Sequence, residues 1–163
     1  MTKSLGLILF MAGPASGGCF LSPIPDTRQA NDFANDLEPK CRGVVDPNLV
    51  VEFVKPEYVY VTTGTIYRQP RLVGAQIHLQ PAPGLSKEMI QRSLECHEAS
   101  VTLGKTSPAE DDPYFLPGVW LNINADSEGD GFVVHVVTDH FDDAKSVLAR
   151  AKHAAAAASK SKT

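Results

Sequence analysis

From Arg71 to Gln80 apolar and polar residues alternate, with Val73, Ala75, Ile77 and Leu79 on one face and Gly74, Gln76, His78 and Gln80 on the other. A period of two over this length predicts a half-buried strand. Upstream, Leu49 to Val54 and Tyr58 to Thr62 are β-branched and aromatic runs separated by Pro56, and they predict two further strands. Pro81, Pro83 and Gly84 end the alternating segment. Ser86 then reads as an N-cap, with Leu85 and Ile90 spaced as a hydrophobic staple. The helix it opens runs to about Leu103 and stops at Gly104. At ~100° per residue, Met89, Ile90, Ser93, Leu94, His97, Ser100 and Val101 share its inner face. Lys87, Glu88, Gln91, Glu95, Glu98 and Thr102 take the outer one.

A loop rich in Pro and Asp follows over 105–117. Val119 to Ala125 and Phe132 to Thr138 predict two more strands, joined through Asp126 to Gly131 as a hairpin turn. Asp139 reads as the cap of a last helix whose apolar stripe is Phe141, Ala144, Val147, Leu148 and Ala151. The polar Ser/Lys tail, 159–163, reads as disordered. The order is β-β-β-α-β-β-α over residues 49–158. This predicts an α+β domain, an antiparallel sheet of four to five strands with two helices packed on one face. Residues 19–48, with Pro23, Pro25, Pro39 and Pro47, read as a tether with at most one short helix, around Thr27 to Leu37.

The chain's start has a different pattern. Lys3 precedes a short apolar run, Leu5 to Ala12, and then the small residues Ala15 to Gly18 lead to Cys19. Such a run is too short for a bilayer core, which takes roughly 20 residues, and residues 1–18 read as a secretory signal peptide. The alternative, a buried N-terminal helix, is opposed by Gly6, Gly13, Pro14, Gly17 and Gly18. Gly17-Gly18-Cys19 resembles the lipobox of bacterial lipoproteins, in which the Cys is lipidated and becomes the mature N-terminus. Ser16 departs from that family, which usually has Leu there. The resemblance implies lipidation of Cys19 and attachment to a membrane through that lipid. Phe20 follows the Cys where an Asp could stand, which by resemblance to enterobacterial lipoproteins implies the outer membrane. Gly74 to Ala99, with PAPG and LECHEA, and Asp112 to Ile123 (DPYFLPGVWLNI) together resemble uncharacterised lipoproteins of myxobacterial type. That likeness bears on localisation and implies no activity.

Composition narrows the classes further. The chain has 163 residues, 43% of them hydrophobic, enough for one domain with one core. Fifteen Lys and Arg stand against 19 Asp and Glu, a formal charge of −4, so no nucleic-acid partner is expected. The partner would be another envelope protein or a small ligand. Export would also place the cysteines in an oxidising compartment, where Cys41 and Cys96 form the even pair left after Cys19. A disulfide between them is expected. The alternatives are two buried thiols, or a Cys96 that serves as ligand or nucleophile.

Candidate chemistry centres on His97, with Ser93 four residues before it and Ser100 three after. A nucleophile–base pair would need an elbow motif and a third orienting group, and the sequence names neither. The expectation is a hydrogen-bonded core histidine, bonded to Ser93, Ser100 or a backbone carbonyl. Cys96, His97, His78, His135 and His140 are the side chains a metal could use, but none has metal-site spacing, and adjacent Cys96 and His97 diverge by ~100° on a helix. Asp126, Glu128, Asp130 and Gly131 imitate the start of a calcium loop, but Val137 stands where a bidentate Glu is needed. No cofactor-binding or catalytic motif is present. The sequence therefore reads as a non-enzymatic, lipid-anchored envelope protein carrying a small binding or structural module. The alternatives are a periplasmic metal-binding protein and, third, a small hydrolase built around His97.

Overall fold

The computed structural model describes residues 38–42, 44, 49–63 and 67–160. The signal segment 1–18, Cys19 and the short helix expected at 27–37 lie outside the described residues. The elements are α1 (Glu38–Cys41), β1 (Val51–Thr63), β2 (Tyr67–Leu79), α2 (Lys87–Thr102), β3 (Asn122–Glu128), β4 (Gly131–Val137) and α3 (Phe141–Lys160). One four-stranded antiparallel sheet, in the order β1-β2-β4-β3, packs against α2 and α3, so the fold is α+β; α1, which lies against α2, makes three helices where the sequence predicts two.

The sheet has four strands because the two runs either side of Pro56 are one strand. Pro56 sits within β1 opposite Ala75. β1 is an edge strand, where a missing N–H costs no central ladder bond, so the proline does not break it. β3 begins later than its apolar pattern suggested and takes in Asp126, Ser127 and Glu128. The hairpin loop shrinks to Gly129-Asp130, with Gly129 at φ 62°, the left-handed conformation that a II′ turn needs at its first central residue.

α2 follows its sequence signals closely. Ser86 Oγ accepts from the Met89 N–H at 3.3 Å, and Gly104 takes φ 67° just past the last turn. Its inner face buries Ile90, Ser93, Leu94, Ala99 and Val101, whereas Met89, expected there, is 53% exposed. α3 buries Ala144, Val147 and Ala151 as expected, but Phe141 lies exposed under the Lys145 ammonium, 4.6 Å from its ring centre. Its first bond, Ala144 N–H to His140 O, puts the cap one residue after Asp139. The helix continues through Ser159 and Lys160, two residues expected in the tail.

One core joins the helices to the sheet. Ala75, Ile77 and Leu79 of β2 and Val134 and Val136 of β4 meet Ile90 and Leu94 of α2 and Val147 and Ala151 of α3. Burying each large aliphatic side chain here contributes roughly 1.5–3 kcal/mol. Two details set the sheet's outline. Gln91 of α2 reaches the outer edge of β3, its Nε2 donating to Ile123 O at 3.1 Å and its Oε1 accepting from the Ala125 N–H at 2.8 Å. A side-chain amide thus stands where a fifth strand would pair. Gly74 marks the place where β2 parts from β4, because a Cβ there would lie 1.9 Å from Val136 O.

Candidate functional site

The site is built between α2 and the 105–121 loop. His97 is on the inner side of α2, one turn beyond the buried Ser93. A carboxylate from the loop meets its ring. His97 Nε2 lies 2.5 Å from Oδ2 of Asp112, a carboxylate 7% exposed in the loop. Asp112 Oδ1 accepts from the Tyr114 N–H at 2.9 Å, an Asx turn that fixes the carboxylate's orientation. Arg150 of α3 donates to the carbonyls of Asp112 and Phe115, at 3.3 and 2.9 Å. Ser100 is engaged elsewhere, its hydroxyl 2.6 Å from that of Thr106. The expected core histidine is therefore a half-buried imidazole held by a braced carboxylate.

The disulfide forms as expected. Cys41 and Cys96 are joined with Cα atoms 5.5 Å apart, tying α1 to α2. Cys96 has no thiolate to offer, which removes it from the candidate ligands and nucleophiles. A groove of about 470 Å³ runs beside the disulfide, lined by Arg42, Ser93, His97, Ser100, Lys105 and Thr106 among others. A second, of about 600 Å³, is lined by Leu49, Leu94, His97, Asp112, Tyr114 and His153 among others. His97 borders both. Each lies in the size range of small-ligand sites. Near the site on the same helix, burial and the Glu95 carboxylate push the Glu98 carboxyl up to about 7, with His97 pulling the other way.

The other histidines do not gather. His78 of β2 is buried, Nδ1 2.7 Å from Glu128 Oε2 and its ring stacked on Phe53 at 4.0 Å. His135 of β4 sits 3.0 Å from both oxygens of Glu57. His153 pairs with Asp111 at 2.7 Å, and His140 stands exposed at the start of α3. His78 and His135 each hold a carboxylate from an edge strand across the sheet. Among the described residues no three His, Cys, Asp or Glu side chains form a group able to hold a metal ion. Asp126 and Glu128 belong to β3, consistent with rejecting a calcium loop.

Sequence reasoning missed Asp112. Asp112-Pro113-Tyr114 is a turn signal, but nothing in it names a helix residue fifteen positions earlier as the carboxylate's partner. No family model, curated protein or solved structure matches the chain.

Proposed function

We propose that this chain is an exported, lipid-anchored protein of the cell envelope whose α+β domain is a small binding module. The observation that carries the reading is the Cys41–Cys96 disulfide. Structural disulfides belong to oxidising compartments, and this one supports the signal peptide and lipidated Cys19 read from the sequence. No helix among the described residues is long and apolar enough to cross a membrane.

The binding role rests on the grooves at His97. Ser93, His97, Ser100, Thr106, Arg42 and Lys105 are among the residues lining the first groove. That set suits a small polar ligand bearing acceptor oxygens. Catalysis is not part of the proposal. His97 and Asp112 have the pairing of a base and its orienter, but the sequence has no nucleophile elbow to go with them.

Fractionation of cells expressing the full chain tests the anchoring. Wild type should sediment with membranes, and Cys19→Ser should appear in the soluble exported fraction. A Cys19→Ser variant that stays with the membranes would contradict it.

A further inference from the structure

We infer that the 58–63 segment of β1 is a self-pairing edge, through which two copies of the chain join their sheets into one. β1 and β2 continue their pairing past Gly74 out to Thr63 and Tyr67, while β4 stops at Gly74. The far half of this hairpin is a two-stranded ribbon extending beyond the sheet. Ribbons of two strands are marginal in water and gain from a further strand.

Sheet edges are normally blunted, and this molecule blunts the rest of its edges. On β3, Gln91 occupies the outer backbone groups of Ile123 and Ala125. The first half of β1 carries Glu52, Lys55 and Glu57 around Pro56, which has no N–H to offer. Charges and proline are the usual guards of an edge. Residues 58–63 (YVYVTT) have neither. They are β-branched and aromatic, uncharged and free of Pro and Gly, the composition that pairs most readily with another strand. Among the described residues no strand lies on this side of β1. Tyr58, Val59 and Tyr60 are 52%, 41% and 70% exposed, while Val61 is half-buried.

A second copy is the partner the segment fits. Antiparallel pairing about a two-fold axis at Tyr60 sets Tyr60 against Tyr60, Val59 against Val61 and Tyr58 against Thr62. Aromatic and β-branched cross-strand pairs of this kind are favourable, and no charge meets a like charge along the seam. Arg68 and Arg71 stand on β2, one strand back, so the two copies' arginines are held about 14 Å apart, beyond the screening length at physiological salt. The symmetry is closed, and assembly stops at the dimer. This surface lies at the opposite end of β1 from the Leu49-lined groove, and it does not depend on the binding role proposed there.

Sedimentation of the full chain over a concentration series tests the inference. Wild type should pass from monomer to dimer and no further. Tyr60→Lys, at an exposed position where folding is not at stake, should weaken the dimer about tenfold by placing Lys against Lys. Tyr60→Glu alone should weaken it similarly, and mixing the two variants should restore a heterodimer. A wild type that stays monomeric overturns the proposal, including one that binds an extended acidic peptide instead. So does a dimer indifferent to both substitutions, or one that mixing fails to restore.

Discussion

His97 and Asp112, fifteen residues apart, meet at 2.5 Å and join the inner face of α2 to a loop that α3 also grips. Removing Asp112 would take one hydrogen-bond acceptor from the imidazole and one from the Tyr114 N–H. Asp112→Ala should lower stability by about 2–3 kcal/mol, as for a buried charged hydrogen-bond partner. Asp112→Asn keeps an acceptor for Tyr114 and should cost about half as much. Urea unfolding of both variants measures the difference; equal stabilities would show that the carboxylate bears no weight in the fold.

Gln91 performs a similar service at the opposite edge of the sheet. Gln91→Ala should cost about 1–2 kcal/mol for its two backbone bonds. The Ala125 amide, which donates to Gln91 Oε1, should then exchange its hydrogen markedly faster. Exchange mass spectrometry with unchanged protection over β3 would contradict the edge-covering role.

Local chemistry determined most of what the sequence could reveal. Ser86 and Gly104 bound α2 because capping and left-handed termination are properties of single residues, and the alternation of 73–79 gave the core face of β2 directly. The errors arose where tertiary position outweighs local signal. Pro56 reads as a break until β1 is known to be an edge. Phe141 reads as core until α3 is seen to start beyond the packed sheet. The His97–Asp112, His135–Glu57 and His78–Glu128 pairs each bridge distant segments, and no periodicity encodes them. Gly74 and Gly131, glycines inside strands, are local signals of close backbone approach.

Glu98 gives the domain a pH dependence of definite sign. Its folded carboxyl is raised from the ordinary 4.5 to about 7 by burial and by Glu95, so the folded state binds this proton more tightly than the unfolded chain does. The stability tied to that proton is present below pH 4.5 and is lost as pH rises through about 7. Glu98→Gln should therefore flatten this part of the profile and be about 1–2 kcal/mol more stable than wild type above neutrality. Thermal unfolding from pH 4 to pH 8 checks it; parallel profiles for the two proteins would remove Glu98 as the cause.

The disulfide closes a separation of 55 residues. Replacing both Cys41 and Cys96 by Ser should destabilise the domain by about 4 kcal/mol through the freedom returned to the unfolded chain. Denaturant titration of the double variant against oxidised wild type gives the number, and a loss below 1 kcal/mol would mean the bridge adds little to the fold.

The central claim, an exported and lipid-anchored protein stapled by one disulfide, is tested most directly by the intact mass of the chain recovered from bacterial membranes, with and without reduction. The account predicts a protein that has lost residues 1–18, gained acyl mass localised to the peptide beginning at Cys19, and gains two hydrogens on reduction of Cys41–Cys96. An unprocessed chain with Cys19 unmodified and no change on reduction would contradict it.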